Sequence, residues 1–371
     1  MTREERCSKI SEAIGNLSFE GVCLGYEPYG SGHINDTFLV RFRRGDGSVR
    51  RYILQRINLE IFRDPDGLME NISRVTAFLR EKITRNGGDP ERETLNIVPA
   101  KNGGNFYRDS IGSCWRAYRF IENAVCLDRV RNSSDFYESA AAFGKFRNLL
   151  SEFPAEALHE TIPDFHNTPK RFETFRRAVR EDVCGRAPSA QKEIAFYLER
   201  EKDAGSLAEL YREGKIPLRV THNDTKLNNV MLDARTGKAV CVIDLDTVMP
   251  GFSANDFGDS IRFGASTAAE DERDLSKVRF DLDLYGTYLN GYLKGCGGSL
   301  SEGEMEALPV GARLMTLECG VRFLTDYLQG DTYFKTERPG QNLDRCRTQQ
   351  KLLAEMEENR DKMRNLAEQY R

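Results

Sequence analysis

The first 120 residues alternate short apolar runs with glycine-rich or polar breaks, a pattern typical of a small antiparallel sheet. Strands are predicted in GVCLGY, DTFLVRF and RRYILQRI, with Gly45-Asp46-Gly47 as the turn between the last two. A helix should follow, because Asp64 can cap it, Pro65 suits its first turn, and one face is apolar: Leu68, Ile72, Val75 and Leu79. With further strands in LNIVPA and SCWRAYRFI, this order predicts a twisted sheet with one helix packed on it.

After residue 122 the pattern becomes mostly helical. Apolar residues recur at spacings of three and four in SDFYESAAAFGKFRNLLSEF, QKEIAFYLEREKDAGSLAELYREG and FDLDLYGTYLNGYL. One β-hairpin interrupts this part, where NVMLD and AVCVIDL flank the turn ARTGK. A terminal stripe fits a helix packed on its own domain, or one that forms a dimer: Leu353, Met356, Met363, Leu366 and Tyr370. The chain is therefore predicted to divide into residues 1–120 and residues 121–371.

Polar residues that suit phosphoryl transfer lie around this hairpin. The loop before it has the pattern H-x-D-x-x-x-x-N from His222 to Asn229, and Asp244 ends the returning strand. Phosphoryl transfer needs an aligned acceptor hydroxyl, a carboxylate for its proton and a divalent cation that bridges the phosphates. A tight hairpin would bring Asp224, Asn229 and Asp244 together, and oxygen ligands suit Mg²⁺. The alternative is a solvated Asn/Asp loop, with four polar positions at kinase spacing by chance.

Charge and cysteine content limit the partners and the location. The 54 basic and 58 acidic residues leave a net charge of -4, which gives no general attraction for nucleic acid. No apolar run approaches the roughly 20 residues of a membrane span, and the opening segment lacks the apolar stretch of a signal peptide. The nine scattered cysteines include no C-x-x-C pair, so buried free thiols are expected. These features predict a cytoplasmic protein with neither nucleic acid nor membrane as a partner.

The region from 222 to 244 resembles the aminoglycoside phosphotransferase and choline kinase superfamily in the order and spacing of its catalytic loop and hairpin. The resemblance extends over the whole chain and implies an α+β, protein-kinase-like bilobal fold. In that fold a small antiparallel sheet forms the nucleotide-binding N-lobe, and a mostly helical C-lobe carries the catalytic loop and substrate site. Carried over by position, the resemblance makes Asp224 the catalytic base, Asn229 and Asp244 the Mg²⁺ ligands, and His222 a residue that shapes the loop. Lys226 would lie close to the transferred phosphoryl group.

A second motif, Tyr29-Gly30-Ser31-Gly32-His33-Ile34-Asn35-Asp36, joins the first two predicted strands. Glycines let a backbone approach phosphates and present N–H groups to them, although such hairpin turns are also common without a ligand. The position upstream of the catalytic loop favours ATP binding by Gly30, Ser31, Gly32 and Asn35. No G-x-x-x-x-G-K-[ST] sequence occurs, so a P-loop NTPase is not supported.

Three positions differ from the protein-kinase pattern. The third strand, where a kinase carries its phosphate-binding Lys, contains none, and we predict Arg56 as the substitute, with a solvated strand residue as the alternative. Glu70 lies opposite the apolar face of its helix and is expected to face solvent. A literal Asp256-Phe257-Gly258 has no preceding strand, so Asp256 and Asp259 are predicted to support the catalytic loop from below.

Within the superfamily, YGSGHINDTF, YILQRIN, THNDTKLNNVMLD and VIDLDTVMPG resemble the N-acetylhexosamine 1-kinases. This resemblance implies ATP-dependent phosphorylation of the anomeric C1 hydroxyl of GlcNAc or GalNAc, with Asp224 accepting its proton. The residues it places against the sugar are His33, Phe263, Arg322 and Tyr333. A hemiacetal hydroxyl is more acidic than an ordinary alcohol, which suits a carboxylate base.

Two alternatives stay open. The acceptor could be another small hydroxyl compound, such as an aminoglycoside, an amino alcohol or homoserine, and Asp256, Asp259 and Glu270 would then supply an acidic pocket. The missing third-strand Lys would also fit a nucleotide-binding pseudokinase, although the intact catalytic set argues against it. The sequence does not choose between GlcNAc and GalNAc, or between a monomer and a homodimer.

Overall fold

The computed structural model describes residues 3–30 and 34–370. The first part of the chain contains α1 (Arg3–Asn16), β1 (Val22–Pro28), β2 (Asp36–Arg43), β3 (Val49–Arg56), α2 (Pro65–Arg85), α3 (Pro90–Glu93), β4 (Ile97–Val98), β5 (Tyr107–Arg108) and β6 (Cys114–Arg119). The strands of the first two hairpins and helix α2 lie where the apolar pattern predicts them. Helix α1 was not predicted.

The second part is helical around a few short strands, as predicted. It contains β7 (Ala124–Val125), α4 (Ser133–Leu149), α5 (Thr168–Glu181), α6 (Gln191–Leu198), α7 (Ser206–Arg212), β8 (Arg219–Thr221), β9 (Val230–Asp233), β10 (Ala239–Val242), β11 (Met249–Gly251), α8 (Ser253–Gly264), α9 (Leu282–Cys296), α10 (Glu302–Leu328), α11 (Gln341–Glu358) and α12 (Arg360–Gln369). The apolar periodicity of residues 191–214 is divided between α6 and α7, with a 3₁₀ turn at Glu201–Gly205 between them.

The main sheet is antiparallel in the order β1-β2-β3-β6-β4, and β5 pairs with β6. Its register decides which side chains share a face, because residues directly opposite each other point the same way. Arg56 stands opposite Trp115, whereas Gln55 stands opposite Arg116. The face that bears Trp115 packs against α1, together with Phe38 and Leu54. The other face turns towards α2 and the helical part.

Helix α2 is built as its sequence predicts. Asp64 Oδ1 accepts the N–H of Gly67 (3.0 Å), Pro65 begins the helix, and the four predicted apolar positions are all buried. That apolar face shares one core with α4 and β10 of the second part, for example through Phe143 and Val242. Glu70 is exposed, as predicted, and bonds to His159 (2.9 Å). The shared core holds the inner face of the sheet over the catalytic hairpin.

Helix α10 is the centre of the second part and packs against α8 and α11. Leu353, Met356 and Met363 of the terminal stripe are buried, which confirms packing on the chain's own domain, while Tyr370 stays exposed. All nine cysteines are free; five are buried, but the prediction of burial is wrong for Cys7, Cys23, Cys126 and Cys184. None of the helices in the described part of the chain is both long and apolar enough to cross a membrane.

Candidate active site

The loop from Thr221 to Asn229 joins β8 to β9 and is anchored from below by α8. Asp256 accepts the backbone N–H groups of His222 (2.8 Å) and Asn223 (2.7 Å) through its two carboxylate oxygens. Asp259 Oδ2 accepts the N–H of Thr225 (3.1 Å). These bonds confirm that both aspartates support the loop. Asn223 has a left-handed backbone, with φ at 64°, a conformation that Asn tolerates better than most residues.

His222 ties the same loop to the returning strand of the hairpin. Its ring is fully buried against Phe143, and Nε2 lies 2.9 Å from the carbonyl oxygen of Ile243. The ring Nδ1 accepts the N–H of Asp224 (3.3 Å), so the proton of the neutral ring belongs on Nε2. His222 thus fixes where Asp224 leaves the loop.

The carboxylate of Asp224 is held between an amide and an ammonium group. Asn229 Nδ2 donates to the carbonyl oxygen of Asp224 (2.8 Å) and to its Oδ2 (3.1 Å). Lys226 Nζ lies 2.6 Å from Asp224 Oδ1. The partial burial of Lys226 opposes its charged form, but the carboxylates of Asp224 and Asp259 outweigh that effect and raise the pKa of Lys226. A cation therefore stands beside the predicted base.

Asp244 is brought to the same place by the hairpin. Just before it, the N–H of Ile243 donates to the carbonyl oxygen of Asn229 (2.9 Å). Asp244 has a left-handed backbone, with φ at 58°, and its side chain is open to solvent on one side. Crowding by protein on the other side, followed by the carboxylates of Asp246 and Asp224, raises the pKa of Asp244 to about 7. The negative electrostatic potential of these neighbouring carboxylates therefore favours a cation bound at Asp244.

The donor set fits Mg²⁺ held together with a phosphate-bearing ligand. Among residues 3–30 and 34–370 there is no group of three or more His, Cys, Asp or Glu side chains that could hold a metal ion. The protein ligands would be Asp244 and the amide oxygen of Asn229, which is left available because Nδ2 donates to Asp224. One or two protein oxygens, completed by phosphate and water oxygens, are typical of Mg²⁺ in phosphotransfer sites.

The glycine-rich motif is only partly described by the structure. Ser31, Gly32 and His33 lie outside the described residues. Gly30 has a φ of 78°, a conformation that glycine adopts readily in a tight turn. No atom of the described residues beyond its chain neighbours lies within 4 Å of the position that a Cβ would take. Asn35 donates through Nδ2 to Asp246 Oδ2 (2.7 Å), so the base of this motif is attached to the catalytic hairpin.

The structure does not bring Arg56 to the catalytic carboxylates. Its Nε donates to Asp36 Oδ2 (2.8 Å), and Asp36 also pairs with Arg6 of α1 (3.0 Å), so Arg56 stands on the α1 face of the sheet. The guanidinium that does reach the hairpin belongs to Arg116 on β6. Its Nη1 lies 2.5 Å from Asp246 Oδ1, and both side chains are buried.

The predicted sugar ligands that the structure describes lie on α8 and α10 and just after α10. Arg322 Nη2 is 3.4 Å from the Tyr333 hydroxyl, and the guanidinium also lies over the rings of Tyr333 and Phe334. Tyr333 is largely exposed. Phe263, on the helix that carries Asp259, exposes about a third of its surface, 36%.

A buried dyad connects this region to the catalytic loop. His166 Nδ1 lies 2.9 Å from Glu318 Oε1, and Nε2 lies 3.3 Å from the carbonyl oxygen of Asn223. Glu318 Oε2 accepts the hydroxyl of Thr168 (2.6 Å). Glu318 is one helical turn before Arg322 on α10, so the dyad lies between the acceptor side and the residue before Asp224.

Sequence reasoning missed Arg116, Asp246 and the dyad of His166 and Glu318. For Arg116 a signal exists, since CWRAYR places a charge in an apolar strand, where a buried partner is required. His166 is one of only four histidines. Nothing in the sequence connects it to Glu318, 152 residues away.

A comparison with protein families decides what this geometry belongs to. Residues 25–289 match the model of the phosphotransferase enzyme family, APH. The chain belongs to this phosphotransferase family. The matched segment includes the glycine-rich motif, the catalytic loop, the hairpin and helix α8, so the residues proposed for phosphoryl transfer lie within the part of the chain that defines the family.

Solved structures show the same fold at low sequence identity. The phosphotransferase is similar to the amicoumacin kinase hAmiN in complex with AMP-PNP and Ca²⁺, with a TM-score of 0.60 and 13% identity over 95% of this chain and 96% of that one. A microcompartment-associated aminopropanol kinase gives 0.57 and 14%, over 96% and 98%. Choline kinase from Cryptosporidium parvum Iowa II gives 0.53 and 14%, over 91% and 90%. These likenesses confirm the kinase-like α+β fold that the sequence predicts.

Proposed function

We propose that this phosphotransferase transfers the γ-phosphoryl group of ATP to the anomeric C1 hydroxyl of an N-acetylhexosamine, GlcNAc or GalNAc, with Mg²⁺. One observation carries the catalytic part: the Asp224 carboxylate is held between Lys226 and Asn229, at the end of the hairpin that also carries the partly exposed carboxylate of Asp244. The amicoumacin kinase, a solved structure of this fold, contains AMP-PNP and a divalent cation, which supports a nucleotide–metal complex as the donor.

Each catalytic residue has a chemical role in this proposal. Asp224 accepts the proton of the acceptor hydroxyl, and its bond to Asn229 Nδ2 aims the carboxylate. Lys226 places a positive charge where negative charge develops on the transferred group. Asn229 and Asp244 hold Mg²⁺, which neutralises phosphate charge when bound. In the N-terminal part, we assign Gly30, Ser31, Gly32 and Asn35 to the nucleotide phosphates.

The charges on the acceptor side support a neutral acceptor over a cationic one. Arg171 on α5 lies near enough to Arg322 for the charge of Arg322 to lower the pKa of Arg171, after the larger effect of burial. Arg171 donates to the carbonyl oxygens of Asp164 and Phe165, and Arg322 donates to Tyr333. Within the described residues neither guanidinium forms an ion pair, whereas Glu318 and Asp259 are already paired with His166 and Arg262. Glu318 offsets part of the charge of Arg322, but two guanidinium groups on this side still disfavour a cationic amino alcohol or aminoglycoside, and they can donate to hydroxyl and acetamido oxygens.

We assign recognition of the sugar to four residues on the acceptor side of the site. Phe263 offers an apolar ring edge or face to the sugar, and Arg322 and Tyr333 supply polar contacts. His33, which follows Gly32 in the glycine-rich motif, would contact the sugar from the N-terminal side. The acceptor assignment depends on these residues, while the catalytic assignment does not.

The proposed acceptor can be tested by measuring turnover with a panel of candidate acceptors in one assay. Purified protein is incubated with Mg²⁺ and ATP plus GlcNAc, GalNAc, choline, ethanolamine, homoserine or an aminoglycoside, and ADP release is measured. Phosphorus NMR should identify a sugar 1-phosphate. Turnover with an amino alcohol or aminoglycoside but with no hexosamine would disprove the acceptor assignment alone. Mg²⁺-dependent ATP binding without transfer to any acceptor would favour a pseudokinase.

A further inference from the structure

A closed ring of polar side chains connects the sheet to the catalytic hairpin. Gln55 Nε2 donates to the Thr37 hydroxyl (3.1 Å), and Arg116 Nε donates to Gln55 Oε1 (3.0 Å). Arg116 Nη1 meets Asp246 Oδ1 at 2.5 Å, and Asp246 Oδ2 accepts Asn35 Nδ2 (2.7 Å). Asn35 and Thr37 lie two residues apart at the start of β2, which closes the ring.

Arg116 is the only cation of this ring and is fixed in place. Its side chain is 1% exposed, and the Asp246 carboxylate is 4% exposed. Burial opposes the charged guanidinium, but Asp246 and, to a smaller extent, Asp244 raise the pKa of Arg116, so the charge is permanent.

Arg116 stands beside the position on β3 where a protein kinase would carry its phosphate-binding lysine. The face of β3 that turns towards the hairpin carries Gln55, where the third strand has no lysine. Gln55 and Arg116 stand opposite each other in the β3–β6 register, so their side chains project from the same face. Arg56 belongs to the opposite face and is neutralised by Asp36.

We infer that Arg116 on β6 supplies the fixed positive charge that the third strand lacks at its hairpin-facing position, Gln55, and that Arg116 acts as a positioning residue for the Mg²⁺–nucleotide complex through Asp246. This inference rests on the proposed assignment of Asp244 as a metal ligand. Asp246 is two residues after Asp244, and the ion pair holds this turn against the sheet. Because Asn35 donates to Asp246, the same ion pair also fixes the position of the C-terminal end of the glycine-rich motif.

The test measures nucleotide binding without any acceptor, so an incorrect acceptor assignment does not affect it. Binding of ATP is followed by calorimetry at several Mg²⁺ concentrations. Arg116→Gln should weaken Mg²⁺-dependent ATP binding at least about tenfold and raise the half-saturating Mg²⁺ concentration. Arg116→Lys keeps the positive charge but has fewer hydrogen-bond donors, so its affinity for ATP should lie between those of Arg116→Gln and the wild type.

The decisive variant moves the charge to the other strand. Gln55→Lys combined with Arg116→Gln places a lysine on the same face, opposite the original guanidinium, and should recover most of the lost affinity. Arg119→Gln is the matched control, because Arg119 lies on the same strand but is exposed and paired with Glu91 and Glu20. Its nucleotide binding should equal that of the wild type within about twofold.

Each outcome bears on the inference. It is wrong if folded Arg116→Gln binds ATP and Mg²⁺ as the wild type does. It is also wrong if the double variant folds without recovering affinity. If Arg116→Gln does not fold, the double variant decides, because recovery of both folding and nucleotide binding supports the inference and failure of either contradicts it. A wild-type protein that does not bind ATP with Mg²⁺ would instead contradict the proposed function.

Discussion

Gly258 on α8 lies against Gly311 on α10, so close that a Cβ atom added to Gly258 would be 2.3 Å from the Gly311 carbonyl oxygen. Helix α8 carries Asp256 and Asp259, which hold the catalytic loop, and α10 carries Glu318 and Arg322. The contact between the two glycines therefore sets the distance between α8, which supports the catalytic loop, and α10, which carries the proposed sugar ligand Arg322. In the Asp-Phe-Gly triplet of this chain, the glycine serves helix packing.

Gly258→Ala should destabilise the protein, although alanine is the better helix former. Overpacking at a close helix contact costs about 1–3 kcal/mol, which exceeds the gain of about 1 kcal/mol in helix propensity. Urea unfolding measures the loss, and kcat should fall as the loop support shifts. Gly286→Ala on α9 is the control, since its Cβ would find no atom closer than 3.9 Å and its stability should hold or rise. Equal stabilities for the two variants would contradict this account.

Asp224→Asn should abolish most turnover while leaving the fold and ATP binding intact. Loss of a general base typically costs about 10²–10⁴ in kcat, and asparagine keeps the size of the side chain. Steady-state kinetics with calorimetric ATP titration separates the two effects. The exposed Asp283→Asn serves as the control and should match the wild type. Retention of full kcat in Asp224→Asn would remove Asp224 from the mechanism.

Asp244→Asn should make the metal-free protein more stable and the nucleotide-bound protein less so. The folded-state pKa of Asp244 is raised from 3.8 to about 7, so its ionisation opposes folding. That penalty is absent below the unfolded pKa and fully present above about pH 7. The variant should therefore gain stability over the wild type as pH rises from about 4 to about 8 without Mg²⁺. Adding Mg²⁺ and ATP should reverse the order of thermal midpoints; the same order with and without them would argue against metal binding here.

Glu304→Gln should lower stability by about 3–5 kcal/mol at pH 7, because Arg147 would keep a buried charge without its partner. Glu304 binds Arg147 (3.0 Å) and Arg219 (3.0 Å), and its side chain is buried. Burial alone would raise the pKa of Glu304, but the two arginines lower it from 4.5 to about 2. The stabilisation is present above pH 4.5 and is lost as pH falls towards 2. Urea unfolding at several pH values should show the gap to wild type closing in acid, while the exposed Glu358→Gln shows no gap.

His166→Gln should have its largest effect on stability at slightly acidic pH. Burial would lower the pKa of His166, but Glu318 and Asp259 outweigh it and raise the value. The contribution of the ion pair is therefore complete below the unfolded pKa of about 6.5 and is lost as pH rises through the folded pKa. The difference in unfolding free energy from wild type should shrink between about pH 6 and pH 9. The exposed His159→Gln is the control, and a difference that does not depend on pH would exclude the charged pair.

The sequence by itself determined the parts of this phosphotransferase that depend on local pattern. Strand alternation, the cap at Asp64 and the apolar face of α2 were readable because each depends on residues close together in the chain. The H-x-D-x-x-x-x-N loop and the hairpin that brings Asp244 back to it were also readable, since a hairpin joins segments that are near in sequence, although β10 ends at Val242, two residues before Asp244.

Tertiary structure alone decided which distant groups share a face. The register between β3 and β6 puts Gln55 and Arg116 towards the hairpin and turns Arg56 to α1, and a one-residue shift would have reversed this. The pair of His166 and Glu318 joins residues 152 positions apart. Such long-range pairs leave no periodic signal, because any residue of suitable charge and reach would serve, and only the packed chain selects the partner.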